Sequence, residues 1–553
     1  MPLLSPYRPL QLLERLPLYG VAPTRAIEAR AAAELPPHTL MQRAGLATAR
    51  LALALAPHAR VIWIACGPGN NGGDGLEAAM HLRHWGLNPV VTWLGNPDHT
   101  PADARASWQR ARAAGVTFAD QPPGDLQAQD LCIDALLGIG AARPPAERMA
   151  NWLRTLRAGP APLLAIDLPT GLDADTGALR ADLPSPAGGG QGWGLAATLP
   201  YTAAGPHPSL PPAGEGAKHP ASPLLQPPLN GTLAIYDAAV NQPARHTLSL
   251  LTLKPGLFTA HGRDACGQIW FDDLSVTPAE PPTAWLNGPP QPTPRPHASH
   301  KGSHGDVAII GGETAAAGSA MTGAALLAAS AALHGGAGRV YVGLLGDPGL
   351  RCDVAQPELM FRAPAALPLS ELTVVCGCGG GAAVAALLPQ VLDAAPRLVL
   401  DADALNALAA DPAPLTPRLR QRAARGWATV LTPHPLEAAR LLGSSAADVQ
   451  NNRLAAAQAL AERFQSVAVL KGSGSVIAAP GQTPHINPTG NGLLGTAGTG
   501  DVLAGLIGAR LAAGLPAFEA ACAAVYQHGA AADRWPANTT ALTAGALARA
   551  LTP

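Results

Sequence analysis

Apolar and polar positions follow one repeated order through the first part of the chain. A short apolar run is followed by a small loop, then by a stretch whose apolar residues fall on one helical face. The runs VIWIAC (61–66), PVVTWL (89–94), LCIDALL (131–137) and PLLAIDL (162–168) predict strands. Residues 74–85, 102–114 and 146–157 predict helices between them. Nearly continuous apolar strands alternating with helices predict a parallel sheet covered on both faces. Ligands bind such sheets beyond the carboxyl ends of the strands. The residues just after each apolar run are therefore the ones to read for chemistry.

The same order restarts at Lys301. DVAIIG (306–311), RVYVGLL (339–345), LTVVCG (372–377), RLVLDA (397–402), ATVLT (428–432) and SVAVLK (466–471) predict strands, with helices over 320–334 and 501–513. The expected fold class is α/β throughout, with a first domain over 1–279 and a second over 301–553. The Pro-rich stretch 280–300 reads as a linker that argues against a rigid junction. The two halves carry different Gly-rich loops and do not read as repeats. Residues 183–231 are crowded with Pro, Gly, Ala and Ser and hold no sustained period. Such a segment buries too little apolar surface to offset its ordering entropy, so it predicts a disordered insertion, with a binding loop as the rival reading.

Composition narrows the function classes. A length of 553 residues exceeds a single ordinary core. Charged residues make up 14% and the net charge is -1, which gives no electrostatic reason to expect nucleic acid or an anionic membrane as partner. The start of the chain does not read as a signal peptide, and no window approaches about 18 uninterrupted apolar residues. The seven cysteines are scattered, which suits a reducing compartment, so a cytoplasmic protein is expected. Cys376 and Cys378 form C-x-C with no second ligand pair nearby, which argues against zinc.

In the first half, GPGNNGGDG (67–75) follows a strand and opens a helix. Its glycines let backbone approach a ligand, and amides at a helix start favour an anion. Asn70, Asn71 and Asp74 add two amides and a carboxylate; the plainer reading is a tight turn with Asp74 as helix cap. Asp134 and Asp167 each end an apolar strand. Buried carboxylates need partners, so the pair predicts a shared site for a cation, a proton or a ligand hydroxyl, or else simple loop capping.

In the second half, NPTGNGLLGTAGTGDVLAG (487–505) places Gly498, Thr499 and Gly500 just before Asp501 at the head of an apolar helix. Amides at such a turn form an anion nest, and a carboxylate beside it suits phosphoryl transfer to a hydroxyl. The plainer reading is again a helix cap. KGSGS (471–475) puts Lys471 and flexible glycines after a strand, where a nucleotide could lie. His434 sits between two prolines in LTPHPLEAARLL and reads equally as structural or ligand-contacting.

MQRAG (41–45), GNNGGDG (69–75), DALLGIG (134–140) and DLPTGLDADTG (167–177) resemble the NAD(P)H-hydrate epimerase family, over roughly 1–180 and 245–278. The resemblance implies a Rossmann-like three-layer sandwich. It implies that Asn70, Asn71, Gly72, Gly73 and Asp74 contact the hydrated nucleotide, together with Gly138, Ile139, Gly140, Ala141, Ala142, Arg143 and Pro144. It further implies a potassium ion held by Asn71, Asp134 and Thr170, with Asp167 binding the substrate and acting at its hydrated carbon. Gln42 stands where that family usually has Glu, and the 183–231 insertion is foreign to it.

KGSHGDVAIIGG (301–312), MTGAALLAA (321–329), GAGRV (336–340), LDADALNAL (400–408), LTPHPLEAARLL (431–442), VLKGSGSVI (469–477) and GTGDVLAG (498–505) resemble the ribokinase-like NAD(P)H-hydrate dehydratase family. That likeness implies substrate contacts at Ala324, Gly379, His434 and Asp501, and nucleotide contacts at Lys471, Gly472, Ser473, Gly474, Ser475 and Gly500. Asp501 is the implied catalytic base, working with ADP or ATP and Mg2+. CGCGGG (376–381) replaces the usual G-P-G-L-G turn, and Leu436 stands where Gly is usual. The joined expectation is a cofactor-repair enzyme whose partners are NAD(P)H hydrates and an adenine nucleotide, with a homo-oligomer left open. The alternatives are a ribokinase-like small-molecule kinase and a first half that serves only as a nucleotide-binding regulatory module.

Overall fold

Alternation within the strands decides the layers. In the first half Ile62, Ile64 and Cys66 turn to one face and pack with helices Thr39–Leu55 and Asn70–His84. Trp63 and Ala65 turn to the other and pack with Met149, Trp152 and Leu153 of helix Glu147–Ala158. The outcome is a three-layer α/β sandwich. A computed structural model describes residues 14–140, 145, 147–179, 243–291, 295–314, 320–346, 349–536 and 541–553. The stretch read as an insertion, 183–231, lies outside the described residues.

The first sheet has seven strands, all paired in parallel, in the order 117–119, 89–93, 62–66, 131–135, 163–166, 245–250 and 268–272. Chain order reverses between Ile62–Cys66 and Leu131–Ala135, so the loops after these two strands splay apart and leave a crevice. The second sheet has eleven strands and a parallel central run. Its own reversal lies at Asp306–Gly311, which has Arg339–Leu344 on one side and Thr373–Cys376 on the other. Val307 and Ile309 face one helical layer, Ala308 and Ile310 the other.

Two elements differ from expectation. The stretch 280–300 is not a loose linker throughout. Ala284–Leu286 is a strand of the second sheet, parallel to His485–Ile486 and antiparallel to Leu16–Leu18. Ala284 and Leu286 are fully buried, and Leu18, Leu257 and Phe258 share one core cluster with Leu470 and Val476. The junction is therefore packed, because three residues between the prolines alternate correctly for a strand and outweigh their flanks. The second difference concerns the Asn-Gly segment. It is not a loop: the helix begins at Asn70, with Gly69 as its cap, so Asp74 lies inside the helix and is not its cap. The glycines serve close packing. A Cβ on Gly72 would lie 2.0 Å from the Gly67 carbonyl, and one on Gly75 2.6 Å from the Ala135 Cβ.

Candidate active sites

The first site forms at the switch point of the seven-stranded sheet. Asp167 follows strand Leu163–Ile166 and adopts a left-handed backbone (φ 69°), which costs a non-glycine residue about 1–3 kcal/mol. Its amide donates to the Leu248 carbonyl at 2.7 Å, which holds the turn. The turn aims the carboxylate across the sheet end. Oδ1 accepts a hydrogen bond from Lys254 Nζ, and that ammonium is itself fully buried and donates to the Leu250 carbonyl at 2.7 Å. Oδ2 points toward Gly138, whose missing Cβ would lie 3.3 Å from it and 3.3 Å from Asn71 Oδ1. Gly138 thus keeps open the gap between Asn71 and Asp167.

Asp134 sits one layer behind. It is buried, and its carboxylate accepts from the Thr170 hydroxyl at 2.7 Å, the Thr170 amide at 3.0 Å and the Leu136 amide at 3.2 Å. Burial raises its pKa despite those bonds. Among the described residues it makes no salt bridge, although the charge of the Arg157 guanidinium works against that rise. The buried Asn71 Nδ2 has no hydrogen-bond partner. Asp74 is also pushed up, by burial and then by the charges of Asp167 and Glu28. Asn70 is exposed at the helix start, and Gly73 packs on Ala104 and Met41. Ile139 packs against the shared core and Gly140 lies near Arg25. Ala141, Ala142, Arg143 and Pro144 lie outside the described residues.

The second site forms beside the reversal of the larger sheet. Gly498 takes a left-handed conformation (φ 89°) and caps helix Thr499–Ala512, so Asp501 is its third residue rather than its cap. A Cβ on Gly500 would lie 3.2 Å from Lys471 Nζ. That ammonium donates to Asp401 Oδ1 at 2.7 Å, and the Thr432 hydroxyl donates to the same oxygen at 2.7 Å. Ligand atoms of Cys378, Asp401 and Asp501 lie within 4.8 Å of one another. The Asp501 pKa is pushed up to about 7, first by burial and then by the Asp401 charge, against a hydrogen bond from the Cys378 thiol that lowers it. A glycine-rich helix start, a lysine and a carboxylate poised near neutrality therefore share one corner.

Gly379 (φ 58°) and Ala324 are brought together: a Cβ on Gly379 would lie 2.9 Å from the Ala324 Cβ. His434 caps helix Pro435–Leu442. Its Nδ1 accepts from the amides of Leu436 and Glu437, and its Nε2 lies 3.1 Å from Glu437 Oε1. The imidazole side chain remains 45% exposed, so it caps the helix and still fronts solvent. In the KGSGS loop, Gly472 and Ser473 are exposed, and the Ser475 hydroxyl donates to the Gly472 carbonyl at 3.2 Å. The Ser473 hydroxyl, by contrast, donates to the Ala260 carbonyl of the first half at 2.8 Å.

Comparison with known proteins places both halves in known families. The NAD(P)H-hydrate dehydratase profile matches residues 307–553, and the YjeF-related protein N-terminus profile matches residues 37–186. Over 529 residues the chain is 34% identical to the bifunctional NAD(P)H-hydrate repair enzyme Nnr of Escherichia coli, covering 90% of this chain and 85% of that one. The chain belongs to the bifunctional NAD(P)H-hydrate repair enzyme family. The second half is also 41% identical over 267 residues to an ADP-dependent (S)-NAD(P)H-hydrate dehydratase of Neisseria meningitidis, covering 47% of this chain and 86% of that protein. A solved ADP/ATP-dependent NAD(P)H-hydrate dehydratase of Bacillus subtilis, co-crystallised with ATP and Mg2+, is 31% identical over 46% of this chain and 91% of its own, with a TM-score of 0.38.

For a repair enzyme of this family, three residues beyond the sequence expectations stand in the sites: Lys254, Asp401 and Cys378. Asp401 follows the apolar strand Arg397–Leu400 just as Asp167 follows Leu163–Ile166, so the same strand-end logic identifies it. Lys254 has a compositional signal. Lys218, Lys254, Lys301 and Lys471 are the chain's only lysines among 37 basic residues, and two of the four pair with site carboxylates. Cys378 had none, since a C-x-C pair reads as a metal motif or as nothing.

Proposed function

We propose that the first half interconverts the R and S epimers of hydrated NADH and NADPH, and that the second half dehydrates the S epimer to NAD(P)H using ADP or ATP. The observation that carries this reading is the Asp501 carboxylate beside the Gly498–Gly500 turn and Lys471, in a chain that holds a second carboxylate–lysine centre at Asp167. Asp501 takes the proton of the C6 hydroxyl as that oxygen receives the terminal phosphoryl group of the nucleotide. Phosphate then leaves with the bond to C6 and a proton leaves C5, which restores the ring double bond. ADP is thereby converted to AMP and inorganic phosphate. Amides of the Gly498–Gly500 turn and the Lys471 ammonium hold the transferring phosphoryl charge. Lys471 and the nucleotide loop 471–475, with Ala324, Gly379 and His434 on the substrate side, complete the assignment. Magnesium belongs to the nucleotide in this scheme. The Cys378, Asp401 and Asp501 group suits a resident hard cation poorly, because one donor is a thiol and Lys471 already neutralises Asp401.

In the first half, Asp167 moves a proton at the C6 hydroxyl while Lys254 keeps its other oxygen engaged. Asn70, Asn71 and Asp74 of the first helix turns and Gly138–Gly140 take the substrate on this reading, with Gly138 between Asn71 and Asp167. Asn71, Asp134 and Thr170 would hold a potassium ion on this reading: their oxygens are hard donors, and Asp134 is a buried carboxylate that makes no salt bridge among the described residues. The ion would supply fixed positive charge beside the substrate. Epimerisation is accordingly expected to fall at least about tenfold when potassium is replaced by choline. Asp134→Asn should remove that dependence; equal rates in both salts would exclude the ion. A cytoplasmic setting accords with seven free cysteines. No helix among the described residues is long and apolar enough to cross a membrane.

The test is recovery of reduced-nicotinamide absorbance from a mixture of both hydrate epimers, with Mg2+ and either ADP or ATP. Recovery of neither epimer with either nucleotide would overturn the proposal. The pH dependence gives a finer check. Asp501 must be ionised to act, so kcat/KM for dehydration should rise with pH along a limb centred near 7. Cys378→Ala removes the hydrogen bond that lowers this pKa, so the limb should move to higher pH. A limb that stays in place would mean that the thiol does not tune the base.

A further inference from the structure

We infer that the turn Thr259–Arg263 of the first half is a positioning element for the nucleotide loops of the second, with the Thr259 hydroxyl as its central contact. The inference rests on the reading of residues 471–475 as the nucleotide loop. Thr259 is fully buried, and its hydroxyl lies 3.2 Å from the Ser473 carbonyl and 3.1 Å from the Gly474 carbonyl. The same oxygen accepts from Arg453 Nε at 3.1 Å. The Ala260 amide donates to the Ser473 carbonyl at 3.1 Å, and the Ala260 carbonyl accepts from the Ser473 hydroxyl. Arg453, also buried, donates through Nη2 to the carbonyls of Leu470 and Lys471, each at 3.1 Å. Thr259 thus connects the first half to both arms of the loop that carries Lys471.

Gly474 shows how tight the seat is. Its φ is 61°, and an added Cβ would lie 2.0 Å from the Phe258 carbonyl and 2.7 Å from the Thr259 Cα. A glycine that reads as a phosphate-loop residue is therefore required here by the approach of the first half's backbone. A second contact repeats the arrangement four residues on. Arg263 donates to the Gly490 carbonyl at 2.7 Å and to the Thr489 carbonyl at 3.3 Å, within the segment that leads to Gly498 and Asp501. The Gly490 amide in turn donates to Asp533 at 2.8 Å. Neither Thr259 nor Arg263 reaches the reacting groups, so each acts through a loop it holds. The prediction is on nucleotide affinity, not on the chemical step.

The test uses the full-length protein with Mg2+ and ADP. Thr259→Val keeps the shape of the side chain and removes the hydroxyl. It is expected to raise the KM for ADP about tenfold, with kcat within about twofold of the parent and the KM for the S epimer unchanged. Thr259→Ser, which keeps the hydroxyl, should restore the parent value. Arg263→Gln should raise the ADP KM in the same way, which keeps the idea testable if Thr259→Val folds poorly. ADP binding by calorimetry to Lys471→Met separates the two readings. Weaker binding in Lys471→Met with unchanged ADP KM in Thr259→Val and Arg263→Gln would overturn the brace alone. Unchanged binding in Lys471→Met would overturn the nucleotide loop, and the brace with it. A fall in kcat without a change in ADP KM would also overturn it, since a positioning role acts on binding.

Discussion

Replacing Asp501 by Asn is expected to stop recovery of reduced cofactor from either epimer while leaving their interconversion intact. A carboxamide matches the carboxylate in shape but cannot take the proton of the C6 hydroxyl. Loss of a positioned general base lowers a rate by about 10²–10⁴-fold. The helix that begins at Thr499 should survive, because its cap is Gly498 and not Asp501. Stability is expected to hold or to rise. Burial and the neighbouring Asp401 raise the pKa of Asp501 above the carboxylate range, so its ionised form is disfavoured in the folded protein at neutral pH and above. A neutral side chain removes that penalty. The outcome is read as reduced-nicotinamide recovery with ADP and Mg2+, alongside chromatographic separation of the epimers and a melting curve. Recovery within tenfold of the parent, in a folded protein, would remove Asp501 from the role of base.

The strands were the most legible part of the sequence. Near-continuous apolar runs can be little else when bounded by loops, so Ile62–Cys66 and Asp306–Gly311 stand where VIWIAC and DVAIIG predict. Carboxylates at the ends of such runs were legible for the same reason, as with Asp134 beside Thr170 and Asp167 facing Gly138. The glycines were harder. One letter serves a nest, a left-handed turn or a close approach, and only tertiary neighbours separate them. Gly498 is a left-handed cap, Gly72 is packed on a carbonyl of its own half, and Gly474 is packed on a carbonyl of the other half. Lys254 was illegible by motif because its partner lies 87 residues earlier in the chain. The packed junction was hidden by prolines, since local composition at 280–300 says nothing of the distant strand His485–Ile486 that pairs with Ala284–Leu286.

The Lys254 pairing shapes what Asp167→Asn should do. The first effect is catalytic: dehydration of the S epimer should proceed at the parent rate, while consumption of the R epimer should fall to the pace of spontaneous epimerisation. The enzymatic part of that step should drop by about 10²–10⁴-fold. The second effect is structural. Lys254 is fully buried, and removing the Asp167 charge leaves its ammonium with neutral acceptors alone, the Leu250 carbonyl and the Ser249 hydroxyl among them. Breaking a buried ion pair on one side costs about 3–5 kcal/mol, so the first half should lose stability as well as activity. The pair of effects can be separated. Adding Lys254→Met to Asp167→Asn removes the orphaned charge and fills its volume with an apolar side chain, so stability should recover in denaturant melts. Activity toward the R epimer should not recover, because no group is left to move the proton. Restored R-epimer turnover in the double variant would mean that the single substitution acted through folding alone. R and S epimers consumed equally fast by Asp167→Asn, beyond the spontaneous rate, would place the epimerase chemistry on another residue.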